Sequence, residues 1–295
     1  MSGAQARVSQ LKNQLGVFGS GVGPGQLLKG EVTIITGAGN GIGKMAAIIA
    51  GAHGAHVVVS DLDPQKTQET VDTIKNNGGS AIGVPGDVTA KDFGETVVKA
   101  TIDAYGKINH IVNNAGFTAD KMLHTMSDDI WNLILDVHCT APFRIVRAAA
   151  PHLRLKDPEK HENRCIINIS STSGIHGNAG QINYSAAKAA VTGMTKTICK
   201  ELGPFNVRCN CIAYGSIDTR LTQAKEDGAS ITVIGQKIAL GIPASMRANP
   251  QANNDVPLRR QGNAEEAAAA IVMLLSPLSS YISGHTLEVT GGRGI

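Results

Sequence analysis

Apolar, β-branched runs punctuate this chain near residues 32–36, 56–61, 80–86, 108–113, 165–170, 207–212 and 286–289, and the stretches between them read as helices. Strands that alternate with helices are joined by crossovers. The pattern therefore calls for an α/β chain with a doubly wound parallel sheet, helices on both faces and any ligand at the carboxyl ends of the strands. No break is long enough to separate two domains, and 42% apolar residues in a chain of 295 are enough to bury one large core. The organisation expected is an N-terminal extension over 1–27 and a single domain over 28–295, with an insertion around 221–257. In that insertion Ile231, Val233, Ile234, Ile238, Leu240 and Met246 are interspersed among polar residues. This reads as a lid closing over an apolar substrate; a subunit contact or a flexible insertion would leave the same pattern.

The first apolar run breaks into Thr36-Gly37-Ala38-Gly39-Asn40-Gly41-Ile42-Gly43 and then enters an Ala-rich stretch, which reads as strand, tight turn and helix. Glycines at 37, 41 and 43 remove the Cβ atoms that would keep a backbone from a pyrophosphate, and a helix N-terminus behind them offers free N–H groups and positive charge. The second run, His56 to Asp61, ends in a carboxylate at the distance where a ribose-reading acid is expected, with Leu62 beside it. Asp61 can accept from both ribose hydroxyls and would repel a 2′-phosphate. Asn40 stands where a cation would neutralise that phosphate, so NAD(H) is preferred and NADP(H) is the second choice, with Lys44 the residue that speaks for it. The other reading of Asp61 is a cap on the helix that starts at Asp63-Pro64.

Tyr184 and Lys188 are four apart, which on a helix stacks them on one face. An ammonium beside a phenol favours the phenolate, so the pKa of Tyr184 is expected to fall from about 10 toward working pH, where it can pass a proton to a carbonyl oxygen. Ser171, at the end of the apolar run that leads to Ser170-Ser171-Thr172, can hydrogen-bond that oxygen.

With Thr36 to Gly43, Asp87-Val88, Asn113-Asn114-Ala115-Gly116, Ser171 thirteen residues before Tyr184, and Lys188, the chain resembles the classical short-chain dehydrogenase/reductase family, close to its β-ketoacyl reductases, from about Leu28 to Gly292. The resemblance implies a Rossmann-type fold. It implies that Asp87 and Val88 contact the adenine, that Asn114, Ala115 and Gly116 lie along the cofactor, that Ile217 and Thr219 hold the nicotinamide carboxamide, and that Lys188 binds the nicotinamide ribose. It also implies a homotetramer or homodimer packed through Tyr281 to Val289. The activity implied is hydride transfer between NAD(H) and a ketone or secondary alcohol, most closely a β-ketoacyl or other bulky carbonyl. A steroid or secondary-metabolite dehydrogenase and a cofactor-binding sensor without turnover are the alternatives. Two residues depart from the family pattern. His138 replaces an asparagine that relays protons to the lysine; imidazole can also donate and accept, or can simply pack. Tyr214 replaces a proline, which is expected to leave the loop after it less rigid or differently shaped.

A net charge of +3, scattered along the chain, and 3% aromatics give no case for nucleic acid or an anionic membrane. No apolar run reaches about 18 residues, which excludes a transmembrane helix. The cysteines Cys139, Cys165, Cys199, Cys209 and Cys211 are odd in number and sit mostly in apolar runs, so reduced core thiols are expected; no histidine or cysteine spacing suggests a metal. Sequons at Asn168 and Asn183 lie inside a proposed strand and helix. The first thirty residues hold no acid, which suits a mitochondrial transit peptide; a short helix packed on a neighbour, in a cytoplasmic protein, is the favoured reading.

Overall fold

The computed structural model describes residues 26–219, 228, 230–233, 236–239, 241 and 254–294. The proposed N-terminal extension and most of the proposed lid therefore lie outside the described residues.

Seven strands form one parallel sheet: β1 (Val32–Thr36), β2 (His56–Ser60), β3 (Ser80–Gly83), β4 (His110–Asn113), β5 (Arg164–Ser171), β6 (Val207–Tyr214) and, at the far edge, β9 (Thr286–Val289). Their order is β3-β2-β1-β4-β5-β6-β9. The chain winds outward from β1 in one direction, then returns to β4 and winds the other way. The crevice at a doubly wound sheet's switch point therefore opens at the carboxyl ends of β1 and β4, beyond Thr36 and Asn113. Strand β3 is shorter than its apolar run because Pro85 has no N–H to give the ladder. Val84 and Gly86 still bond to Val59 O and Asp61 O on either side of it.

The helices are α1 (Gly41–Ala52), α2 (Pro64–Asn76), α3 (Phe93–Tyr105), α4 (Asp128–Leu135), α5 (Ala141–Leu153), α6 (Thr172–His176), α7 (Ile182–Leu202) and α8 (Ala264–Leu275). A π-helical turn over Asp136–Thr140 joins α4 to α5. One apolar cluster packs α1 and α8 on one face of the sheet, and another packs α3 and α5 on the other. Cys165, Cys209 and Cys211 are buried within the strands, and Asn168 and Asn183 are wholly buried. Among the described residues, no helix is long and apolar enough to cross a membrane.

At the amino end of the sheet Glu31 Oε2 meets His110 Nε2 at 2.7 Å and accepts from Asn163 Nδ2 at 2.9 Å, while Arg208 donates to Asn163 Oδ1 and to the carbonyls of Leu274, Leu275 and Ser276. All four side chains are buried. This network ties α8 to the sheet on the side away from the crevice. Within the proposed lid, β7 (Ser230–Val233) and β8 (Gln236–Ala239) pair antiparallel, a hairpin outside the seven apolar runs. The signal was present: alternating Ser-Ile-Thr-Val and Gln-Lys-Ile-Ala runs separated by two residues, the second of them Gly235.

Candidate active site

Asn40 caps α1 with extended backbone but makes no side-chain hydrogen bond to the helix, and the first turn of α1 carries no acid. That leaves the amide end of a 12-residue helix open to an anion. A Cβ built on Gly41, whose φ is +53°, would meet nothing nearer than the Thr219 methyl at 3.9 Å. Bare backbone thus faces a cleft whose wall is formed by Gly37, Asn40, Gly41, Ile42, Gly43, Asp61, Leu62, Asp87, Val88, Asn114, Ala115, Gly116 and Thr219. Gly86, Phe117 and Val137 complete that wall. These three carry no motif of their own; only their place beside Asp87, Gly116 and His138 marks them. The residues present fit an elongated, phosphate-bearing dinucleotide.

Four of the residues expected at the cofactor, Gly39, Ile217, Tyr184 and Lys188, do not line this wall. Gly39 donates its N–H to Asp61 Oδ2 at 2.9 Å, and a Cβ there would lie 2.9 Å from the same oxygen. Its bareness serves the carboxylate. Ile217 is buried in the core, so what it can offer the cleft is its backbone.

Asp61 Oδ1 also accepts from Asp63 N, but the cap on α2 is Asp63, whose side chain accepts from Gln65 N and Lys66 N. Asp61 is accordingly free of the capping role and is fixed between turn and cleft. Asp87 Oδ1 takes two hydrogen bonds from Thr89, leaving its other oxygen for the cleft. The Asn114 amide donates to Thr36 O and Gly37 O and braces the glycine turn against the loop after β4.

Ser171 ends β5 and caps α6, accepting from Ser173 N at 3.1 Å, whereas Ser170 turns inward and donates to Lys188 O. Tyr184 and Lys188 share the inner face of α7, with Nζ 5.4 Å from the ring centroid. His138, from the π turn, stands edge-on to Tyr184 at 5.2 Å. The four catalytic candidates, drawn from three elements, converge behind Phe117 and Val137, which pack with Tyr184 and also line the cleft. Ile238 of the β7–β8 hairpin packs on the same cluster.

The electrostatics differ from the sequence expectation. Tyr184 is pushed up to about 12, chiefly by burial; a hydrogen bond with Ser171 pulls it back and the charge of Asp120 adds to the rise. Lys188 is driven down to about 8 by burial. Its ammonium donates to Ile169 O at 2.7 Å rather than to the phenol oxygen. Desolvation therefore outweighs the lysine's pull in the protein by itself.

His138 is held well below its ordinary pKa by burial and by Lys188, so it is neutral. Its Nε2 lies 2.8 Å from Phe117 O, an acceptor only, which assigns the proton to Nε2 and leaves Nδ1 as a lone pair. That Nδ1 is buried with no protein partner among the described residues. A Cβ on Gly116 would fall 2.2 Å from His138 Cε1. Gly116→Ala is therefore expected to cost about 1–3 kcal/mol by overpacking, measured by denaturant unfolding. In a His138→Ala background the cost should largely disappear; an unchanged cost would exclude the ring as its source.

Tyr214, which precedes the loop expected to be less rigid or differently shaped, is itself anchored in the sheet. Strand β6 runs through it, the ring is buried, and its hydroxyl donates to Ala267 O at 2.6 Å.

Comparison with known proteins gives a match of residues 37–293 to the family model described as enoyl-(acyl carrier protein) reductase. The chain is 34% identical over 265 residues to a 3-oxoacyl-[acyl-carrier-protein] reductase FabG of Thermotoga maritima, covering 90% of this chain and 98% of that protein. The FabG of Vibrio cholerae is 35% identical over the same shares. A peroxisomal hydratase-dehydrogenase-epimerase of Neurospora crassa is 40% identical over 185 residues, 63% of this chain and 20% of that protein.

Proposed function

Because the chain belongs to the short-chain dehydrogenase/reductase family of oxidoreductases, whose chemistry uses a nicotinamide cofactor, we propose that it is an NAD(H)-dependent reductase of β-ketoacyl or similarly bulky carbonyls. The observation that carries this reading is the convergence of Ser171, Tyr184 and Lys188 behind Phe117 and Val137, two residues of the cleft wall. A nicotinamide bound there would supply or accept the hydride. Ser171 hydrogen-bonds the carbonyl oxygen, and Tyr184, neutral across the physiological range, gives the proton as the oxygen turns to alkoxide. Lys188 would hold the nicotinamide ribose, and a water on His138 Nδ1 would refill the relay. In the reverse direction Tyr184 is the base. The relatives whose names state an activity on 3-oxoacyl groups favour that substrate class, and Ile238, packed on the same apolar cluster as Tyr184, supports an apolar lid.

The preference for NAD(H) rests on charge around Asp61. Of the two nearby cations, Lys66 is 2.8 Å from Glu69, and the field of Lys44 also falls on Glu69. Glu69 offsets one of these two charges, and a 2′-phosphate would still meet the negative charge of Asp61 itself. NADH should bind about tenfold or more tightly than NADPH, and Asp61→Ala should narrow the gap. Calorimetric titration of both cofactors tests this; tighter binding of NADPH would overturn it. Initial rates on β-ketoacyl thioesters, cyclic ketones and steroids test the activity: turnover of the thioesters is expected, and none on any carbonyl would return weight to a sensor.

The same reading makes the protein a homodimer or homotetramer. Tyr281 is wholly exposed, with Ile282 and Leu278 exposed beside it, at the segment the resemblance places on a two-fold axis. A light-scattering mass of one 30.7 kDa chain would refute that assembly.

A further inference from the structure

The loop after β4 is zipped to the start of α7 at three points. Lys121 N donates to Gly180 O at 2.8 Å, Gln181 Nε2 to Asp120 Oδ2 at 3.0 Å, and Asn183 Nδ2 to Ala119 O at 3.2 Å. Gln181 stands three residues before Tyr184, and its other amide atom, Oε1, accepts from Ser173 Oγ at 2.9 Å and from Asn178 Nδ2 at 3.1 Å. Ser173 N in turn donates to Ser171 Oγ. One chain of hydrogen bonds therefore runs from the carbonyl-binding serine through Gln181 to a carboxylate, and it fixes that carboxylate against the catalytic tyrosine's helix.

We propose that Asp120 is a positioning residue that biases this active site toward carbonyl reduction: held by Gln181, its negative charge keeps Tyr184 in the protonated form that gives a proton and opposes the phenolate that takes one. The inference rests on the proposed reductase reading. Among the described residues, the groups around Tyr184 that bear on its charge are Ser171 from β5, His138 and Cys139 from the π turn, Lys188 on its own helix and Asp120 from the loop. His138 is neutral and the Cys139 thiol is pushed up by burial. Lys188 donates to Ile169 O, and among the described residues Asp120 is the anion whose charge bears on the phenol. Its charge raises Tyr184 in the same direction as burial does. Asp120 is exposed, so its influence passes partly through solvent and must weaken with salt.

The test is Asp120→Asn, which keeps an acceptor for Gln181 and removes the charge, beside Asp120→Glu, which restores it. For alcohol oxidation, the rising limb of kcat/KM against pH should move to lower pH. At a fixed pH on that limb the rate should increase about threefold, more at low ionic strength than at 0.5 M salt. Asp120→Glu should track the wild type. A limb that does not move, or a shift indifferent to salt and shared by Asp120→Glu, overturns the proposal and leaves Asp120 a structural brace.

A second readout does not depend on turnover. The chain has four tyrosines. With 13C-labelled tyrosine, the Tyr184 signal, assigned by its loss in Tyr184→Phe, should begin to ionise at lower pH in Asp120→Asn, within the range where circular dichroism shows the fold intact. An early ionisation in a protein that reduces no ketone would sink the reductase reading and keep the electrostatic one. Ready turnover with unchanged ionisation would do the reverse.

Discussion

Tyr184→Phe is expected to lower kcat for carbonyl reduction by about 10²- to 10⁴-fold, the usual contribution of a positioned general acid, while cofactor affinity changes little. The two effects separate because the phenol lies behind Phe117 and Val137 rather than on the wall of the cleft. Phenylalanine keeps the ring's edge contact with His138 and its place in the apolar cluster, so the fold should be retained. The pH dependence follows from the direction of the shift. A tyrosine raised to about 12 is a phenol throughout the physiological range, so reduction should be nearly flat with pH there. Oxidation needs the proton removed and should climb with pH. Stopped-flow rates in both directions, with cofactor binding followed by nicotinamide fluorescence, check both statements. A loss of less than tenfold would mean that another group delivers the proton.

Tyr214→Ala is expected to destabilise the protein by about 3–5 kcal/mol, the range for deleting a buried aromatic ring. That is a large share of the roughly 5–15 kcal/mol that holds a typical domain together. The ring packs in the cluster that joins the sheet to α1 and α8, and its hydroxyl ties β6 to Ala267. Tyr214→Phe, which keeps the ring and loses only the hydrogen bond, should cost about 0.5–1.5 kcal/mol. The residues that follow, Ser216 and Asp218, exchange hydrogen bonds with Gly262 and lead to Thr219 on the cleft wall. Cofactor affinity should therefore fall along with stability in the alanine variant. Denaturant midpoints for both variants decide this; a cost below about 1 kcal/mol for Tyr214→Ala would show that the site collapses onto the gap.

The sequence by itself determined the elements and the outline of the site, because both depend on local chemistry. Seven apolar runs became seven strands, and β1 and β9 end where the runs end. The glycine turn, Asp61 and the spacing of Tyr184 and Lys188 could be read because backbone clearance, a carboxylate at a strand end and one face of a helix are properties of neighbouring residues.

What only the tertiary structure decided are quantities set by groups far apart in the chain. Burial reversed the expected direction of the Tyr184 shift, and no spacing rule carries desolvation. His138 acquired its tautomer from Phe117, twenty-one residues earlier, and Tyr214 became an anchor because Ala267 stood opposite it. Glu31, His110, Asn163 and Arg208 look like unrelated polar residues until the sheet brings them together in the buried interior. Sequence fixes which groups are available, but their charge states and partners follow from who is buried against whom, and that is a property of the folded chain alone.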